Sequence, residues 1–255
     1  MTASAPSVKL NVLASWGAHA VTVVVGFFLM PYVIKTLGDH QYGTWVFINS
    51  MASYAGLLYF GFGDTISRYV AKYQAAGDDR RLNEVVTLVL TIYLAMGAVA
   101  LVVAGCLSWC TPWLSSWQDH ELLEVRLTIL VLGLNVATGL AGSVFGGVLM
   151  GARRFDLERG VSFWSDLARL AAILIFLREE WGILTVAVIY WMMTALENLL
   201  YMVLAYRSVP QLRIRREFLN WGTLKECSSF STMAFLNAIA YQLTYATDSV
   251  VIGFM

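Results

Sequence analysis

The sequence predicts an all-α, polytopic membrane protein, with one bundle of six transmembrane helices followed by the start of a seventh helix. Hydrophobic residues make up 58% of its 255 residues and charged residues only 13%, whereas an average soluble chain carries about 25% charged residues. Long apolar runs alternate with short polar connectors, which is the pattern of successive membrane spans. The 17 basic and 17 acidic residues cancel, so the composition argues against a nucleic-acid-binding or disordered chain.

Six apolar runs are long enough to cross a membrane, which takes about 20 mainly apolar residues, and a seventh run is unfinished at the last residue. The runs cover residues 12–36, 44–66, 85–109, 122–150, 161–177, 182–205 and 227–255. The first is too long for the apolar stretch of a cleavable signal peptide, so we expect it to remain as a helix. The chain thus divides into a six-helix bundle (1–206), a basic cytoplasmic linker (207–226) and a seventh helix (227–255) that begins a second bundle.

The basic residues predict the orientation of these spans. With the N-terminus in the cytoplasm, thirteen of the 17 Lys and Arg residues lie on the inner side. Only Lys35, Arg126 and Arg178 lie on the outer side, and Arg169 falls within a span. Because cytoplasmic loops of membrane proteins carry the excess of basic residues, we expect a cytoplasmic N-terminus.

Polar side chains recur along one face of two predicted spans. Asn11 and His19 belong to a stripe of polar and small residues in the first span, and Asn237, Tyr241 and Asp248 belong to a similar stripe in the seventh. Spacings of three or four residues place side chains on one helix face. We interpret the stripes as the lining of a shared aqueous cavity; the alternative is that they hydrogen-bond helices to one another.

Charged residues also occur within the fifth and sixth spans. Arg169 and Glu197 each lie roughly 14 Å from the inner end of their helix, at 1.5 Å rise per residue. We therefore predict that Arg169 pairs with Glu197, with Asp166 one turn away as a second partner. Such a pair either handles substrate or protons, or only fixes the packing of the bundle.

Asp64 and Arg68 are four residues apart near the inner end of the second span. Arg68 either extends to the membrane surface, as basic side chains at helix ends do, or attracts a phosphate at the mouth of the cavity, since its planar fork can bind two phosphate oxygens.

Small residues recur at four-residue spacing at the end of the fourth span, with two further glycines beside them: Gly139, Ser143, Gly147 and Gly151, then Gly142 and Gly146. Small residues let helix backbones approach closely, so we interpret these glycines as packing positions. A helix that flexes in a moving bundle could use the same residues.

The motifs of soluble catalysis are missing. No GxxxxGK[ST], HExxH or Ser/His/Asp arrangement occurs, the three histidines are far apart, and the three cysteines form no CxxC motif. The sequence therefore predicts neither an enzyme nor a cofactor or metal site.

Several short segments resemble the bacterial polysaccharide flippases, which export lipid-linked O-antigen and exopolysaccharide units. They are MPYVI at 30–34, LG at 37–38, YGTW at 42–45, GFGD at 61–64, RYVA at 68–71 and DSVVIG at 248–253. The resemblance places the chain in the multidrug/oligosaccharidyl-lipid/polysaccharide exporter superfamily. It implies a protein of 12 or 14 spans, built as two six-helix bundles around a central cavity, so we expect this chain to be the N-terminal half.

The resemblance implies a flippase that moves a polyprenyl-diphosphate-linked oligosaccharide across the bacterial cytoplasmic membrane by alternating access, with membrane lipid and polysaccharide assembly machinery as partners and no nucleic acid. The candidate residues are Arg68 and Arg169 for phosphate or acidic sugar, Asn11, His19, Asn237 and Tyr241 for hydrogen bonding in the cavity, and Asp64, Glu197 and Asp248 for ion coupling.

Three alternatives stay open. A drug or cation antiporter of the same superfamily would share the architecture and depend more on its carboxylates. A membrane glycosyltransferase or acyltransferase would need catalytic residues on a sizeable aqueous loop, and the loops here are short. A truncated, non-transporting membrane partner is the third, because a single bundle lacks the partner against which it would rock.

Overall fold

The computed structural model describes residues 8–53, 62–114, 119–178, 182–220, 222–223 and 225, and it describes side chains in these ranges except for residues 8–28, 53, 62–64, 114 and 119–120. Six α-helices follow one another: α1 (Val8–Ser53), α2 (Phe62–Ala76), α3 (Asp79–Leu114), α4 (Asp119–Gly151), α5 (Phe155–Phe176) and α6 (Gly182–Ser208). A short 3₁₀ helix, Arg216–Phe218, comes later. The described residues contain no strand, which confirms the all-α prediction for this part of the chain.

Three of these helices are long and apolar enough to cross a membrane. They are α3, α4 and α6, with candidate spans at Asp79–Trp113, Glu121–Gly151 and Gly182–Ser208. They contain the predicted third, fourth and sixth spans. The helix α5 carries Asp166 and Arg169 within its apolar stretch, which lowers its hydropathy. The complete six-span bundle stays a prediction, and the predicted seventh helix lies outside the described residues.

The helix α1 breaks at one residue. Gly38 has φ 77° and ψ 165°, so two helical segments meet there. Glycine adopts a positive φ without the steric penalty that a Cβ brings. The gap between the first two apolar runs predicts a polar connector over residues 37–43, and the break does lie within it. It is shorter than predicted, because the helical assignment continues through those residues on both sides of Gly38.

Two apolar cores occupy opposite ends of the bundle. The end that carries most of the Lys and Arg residues, here called the basic end, is the one predicted to face the cytoplasm. The core at this end, the basic-end core, joins α2, the start of α3 and the ends of α4 and α6, and Val70, Val86, Val148 and Ala205 are fully buried in it. The opposite-end core joins α1, the start of α4, the end of α5 and the start of α6, and Trp45 and Ile183 are among its residues. Helices α4 and α6 therefore run in the same direction and contribute to both cores.

Glycines on α4 permit two close helix contacts. A Cβ at Gly142 would overlap the side chain of Asn198 on α6, and a Cβ at Gly151 would overlap Val70 and the Ser67 backbone oxygen on α2. The packing role predicted for the glycines of this helix is thus confirmed at these two positions.

Residues 209–220, here called the strap, fold back onto the start of α3. Val209 and Leu212 are buried in the basic-end core beside Leu82 and Val85. The strap makes up most of the predicted linker, and its apolar side chains fix it to the bundle. The strap therefore has a fixed position on the bundle, and its polar side chains form part of the surface at the basic end.

Candidate functional site

The predicted pairing of Arg169 is confirmed by the structure. Its Nη1 donates a hydrogen bond of 2.9 Å to Asp166 Oδ1, one turn earlier on α5. Its Nη2 lies 3.8 Å from Glu197 Oε2 on α6. The guanidinium also lies over the ring of Tyr190, 5.2 Å from the centroid. One arginine therefore joins the two helices through two carboxylates and an aromatic face.

Glu197 is held by a second partner on its own helix. The Tyr201 hydroxyl donates to Glu197 Oε1 at 3.0 Å, and it lies 3.3 Å from the backbone oxygen of Glu158 at the start of α5. The Tyr201 residue is only 7% exposed. Because a hydroxyl has one proton, it can bond Glu197 or Glu158 but not both fully. We call Asp166, Arg169, Tyr190, Glu197 and Tyr201 the mid-bundle cluster.

Arg169 has hydrogen-bonding capacity to spare. Its Nε is buried and has no hydrogen-bond partner among the described residues. The 3.8 Å separation from Glu197 is also longer than a hydrogen bond. A guanidinium has five N–H donors in a fixed fork, so this side chain can bind a further acceptor such as a water or a ligand oxyanion.

A neighbouring face of α6 makes polar contacts with α4 near the same depth. Trp191 Nε1 donates to Thr138 Oγ1 at 3.3 Å, and Asn198 Nδ2 donates to the Thr138 backbone oxygen at 3.2 Å. The Asn198 side chain packs over Gly142. Because α6 is fixed to α4 on one face and bears Glu197 towards α5, movement of α5 relative to α6 would act directly on the Arg169–Glu197 pair.

Of the other predicted site residues, the structure describes only Arg68 with its side chain. Arg68 is exposed on α2 at the basic end and is not among the described contacts of Arg169. Asn11 and His19 lie on α1 and Asp64 on α2, with side chains outside the described residues. Asn237, Tyr241 and Asp248 lie outside the described residues altogether. The cavity between the first and seventh spans thus stays a prediction.

Two buried polar residues at the start of α3, Asn83 and Glu84, were not identified by the sequence analysis. Asn83 is 4% exposed; its Oδ1 accepts the Arg213 backbone N–H at 2.7 Å, and its Nδ2 donates to the Gln211 backbone oxygen at 3.1 Å. This amide therefore clamps the strap by satisfying both its backbone donor and its backbone acceptor. One pattern in the sequence could have identified them: the adjacent polar residues Asn83 and Glu84 lie between two apolar residues, Leu82 and Val85, that are buried in the structure.

The neighbouring Glu84 fixes the residues that follow. Its Oε2 accepts the Thr223 hydroxyl at 3.2 Å, and its Oε1 accepts Arg80 Nε at 3.2 Å. Asn220 Nδ2 lies 3.5 Å from the same Oε2. The Glu84 side chain is only 6% exposed, so its charge is buried but well partnered.

The described residues contain no group of three or more His, Cys, Asp or Glu side chains that could hold a metal ion. At the opposite end, His40 Nε2 lies 3.3 Å from Glu121 Oε1, and this contact involves a histidine whose side chain is 72% exposed.

A family model described as "polysaccharide biosynthesis protein" matches residues 8–255, nearly the whole chain. No curated protein and no solved structure matches significantly. The family match confirms the resemblance found in the sequence.

Proposed function

The chain belongs to the polysaccharide biosynthesis protein family, and from this premise we propose that it is a flippase for a polyprenyl-diphosphate-linked oligosaccharide. Its family and its apolar helices make it a membrane protein with a role in polysaccharide biosynthesis and transport. The proposed reaction is movement of the lipid-linked sugar from the inner to the outer leaflet of the bacterial cytoplasmic membrane by alternating access. No covalent chemistry is required of the protein.

The observation that carries this proposal is a guanidinium with unused donors inside an apolar bundle. A diphosphate and a hydroxyl-rich sugar cannot cross hydrocarbon unaided, because charged and polar groups lose their hydration there. Arg169 offers a buried Nε without a partner and a loosely held Nη2, which suits a phosphate or an acidic sugar. Arg68, exposed at the basic end, would attract the same head group as it approaches.

The remaining candidates are assigned by the same logic. Asn11, His19, Asn237 and Tyr241 would hydrogen-bond the sugar within the cavity between the two polar stripes. Asp64 and Asp248 would take part in ion coupling together with Glu197. In the predicted orientation the basic end faces the cytoplasm.

The charge balance of the mid-bundle cluster suggests how coupling would work. With both carboxylates ionised, one arginine against Asp166 and Glu197 leaves a net charge of minus one. An oxyanion that reaches Arg169 would compete with Glu197, which is the more distant partner at 3.8 Å. Glu197 would then take up a proton or a cation, because an unpaired carboxylate is costly in an apolar span. Binding of substrate and binding of the coupling ion would thus be linked.

The first experiment removes the gene and restores it. Deletion should abolish surface polysaccharide and leave its lipid-linked precursor to accumulate, and the wild-type gene should reverse both changes. Unchanged surface polysaccharide together with unchanged precursor would contradict the flippase proposal.

A drug or cation antiporter is the second candidate, and the excess of carboxylates in the cluster favours it. The two functions differ in which charge matters. A flippase that binds a diphosphate should lose transport on Arg169→Ala and keep part of it on Arg169→Lys. An antiporter should tolerate Arg169→Ala and fail on Glu197→Gln. Arg178→Ala, an exposed change just beyond the end of α5, is the matched control for both.

A further inference from the structure

We propose that the cavity between the start of α3 and the strap binds the sugar portion of the lipid-linked substrate before transport. The ligand class rests on the function proposed above, while the site itself rests on residues that this function does not use. The cavity has a volume of about 550 Å³, which lies within the range of about 300–1,000 Å³ typical of small-molecule sites. It is lined by Asp79, Arg80, Asn83, Gln211, Arg213, Glu217 and Phe218.

The walls of this cavity are fixed by the fold. One wall is the first turn and a half of α3, and the other is the strap. Asn83 bonds the backbone of both Gln211 and Arg213, and Leu212 between them is 3% exposed. Because the backbone on both sides is anchored, the lining side chains project from preset positions, which lowers the entropy that ligand binding must overcome.

The charges of the lining favour a neutral ligand. The lining carries two guanidinium groups, of Arg80 and Arg213, and two carboxylates, of Asp79 and Glu217, so its formal charge is zero. The partners of Arg80 and Glu217 outside the lining, Glu84 and Arg215, also cancel each other. A phosphate would meet both carboxylates as well as the arginines, and like charges at short range repel. The lining therefore does not select for an anion.

The hydrogen-bonding groups match a polyhydroxyl ligand. Each sugar hydroxyl both donates and accepts, and the lining supplies the Arg213 guanidinium as donor, the Asp79 carboxylate as acceptor and the Gln211 side-chain amide as both. The Asn83 amide is already bonded to the strap backbone, and Arg80 and Glu217 are paired with Glu84 and Arg215. Among the described residues, the Asp79 carboxylate and the Arg213 guanidinium have no hydrogen-bond or ion-pair partner. The half-buried Phe218 ring adds an apolar face against which the C–H face of a sugar ring can pack.

The position of the cavity suits the sugar rather than the lipid. Asp79 precedes the third apolar run, which begins at residue 85, by six residues, or roughly 9 Å along the helix. A lipid-linked saccharide places its diphosphate at the membrane surface and its sugar beyond it, in water. A site about 9 Å outside the apolar run therefore lies where the sugar of a bound substrate would lie.

The test uses the purified full chain in detergent and the saccharide released by mild acid from the lipid-linked oligosaccharides of the source cells. We expect wild-type protein to bind this saccharide in isothermal titration. Arg213→Ala and Asp79→Asn, the latter nearly isosteric, should each weaken binding about tenfold, the effect of losing a hydrogen bond to a charged group. Arg216→Ala, an exposed neighbour outside the lining, is the matched control and should bind like wild type.

A second titration, with inorganic pyrophosphate, tests whether the cavity binds the diphosphate of the substrate instead of its sugar. The proposal expects pyrophosphate neither to bind at the cavity nor to displace the saccharide. It is overturned if wild-type protein does not bind the saccharide, if Arg213→Ala and Asp79→Asn bind it as wild type does, or if pyrophosphate displaces it in a way that Arg213→Ala abolishes. Unchanged thermal unfolding of the two variants excludes a folding defect as the cause of weaker binding.

Failure of this proposal is distinguishable from failure of the proposed function. In cells, Arg213→Ala should raise the level of lipid-linked substrate needed for half-maximal export and leave the maximal rate unchanged, whereas Arg169→Ala should lower the maximal rate. If Arg169→Ala abolishes export and Arg213→Ala changes nothing, the flippase stands and the sugar site does not. If deletion of the gene changes neither polysaccharide nor precursor, the flippase proposal itself is contradicted.

Discussion

The mid-bundle cluster and the strap cavity are both polar, but they satisfy their charges in different ways. In the cluster, Arg169 is shared by Asp166 and Glu197 within an apolar bundle. In the cavity, the side chains of Arg213 and Asp79 have no hydrogen-bond or ion-pair partner among the described residues and line an open space. Charges in a span must be compensated because hydrocarbon provides no hydration, while charges at a helix end stay hydrated. The first arrangement is suited to switching partners and the second to receiving a ligand.

The largest expected effect breaks the mid-bundle cluster. Arg169→Ala leaves two carboxylates that are each only about one-fifth to one-quarter exposed without their shared cation. Breaking a buried pair costs about 3–5 kcal/mol, and partial exposure moves the expected loss towards the lower figure. Denaturation of the purified protein in mixed detergent micelles measures it, with Arg178→Ala as control. A loss below about 0.5 kcal/mol, the size of an ordinary surface change, would mean that the carboxylates are already compensated by other groups.

The next effect releases the strap. Asn83→Ala removes two hydrogen bonds to backbone groups of the strap, and each group left unsatisfied costs about 1–3 kcal/mol when water cannot replace the lost partner. The strap lies at the water-exposed end, so we expect a total loss of about 2 kcal/mol. Hydrogen exchange at the Arg213 amide is the direct readout and should accelerate strongly. An unchanged exchange rate would show that the buried Leu212 holds the strap without Asn83.

The smallest expected effect on stability comes from the cavity itself. Arg213→Ala deletes a side chain without a described partner, so the free energy of unfolding should change by less than about 0.5 kcal/mol. Saccharide binding should nevertheless weaken. A clear stability loss in thermal unfolding would indicate that Arg213 pairs with another group and is not available to a ligand. A large stability loss with Arg169→Ala and a small one with Arg213→Ala would show that the charge of Arg169 is used within the fold, whereas the charge of Arg213 is available to a ligand.

The same contrast explains what the sequence could predict. Arg169 and Glu197 stand out because charges are rare in apolar runs, and equal depths on neighbouring helices predicted their contact. Asn83, Gln211 and Arg213 lie in or beside polar connectors, where polar residues are ordinary. Their contact depends on the path of the strap after α6, which no periodicity encodes. The break between the first two runs was placed correctly but made too long, because one residue with a positive φ, Gly38, suffices to end a helix that hydropathy alone divides over seven residues.

The central claim is that Arg169 handles the charged head group during transport across the membrane. The most direct measurement is the leaflet distribution of the lipid-linked oligosaccharide in cells whose gene has been replaced by Arg169→Ala, Arg169→Lys or Arg178→Ala. We predict that the precursor accumulates in the inner leaflet with Arg169→Ala, accumulates less with Arg169→Lys and is distributed normally with Arg178→Ala, at matched protein levels. A normal distribution with Arg169→Ala would contradict the claim.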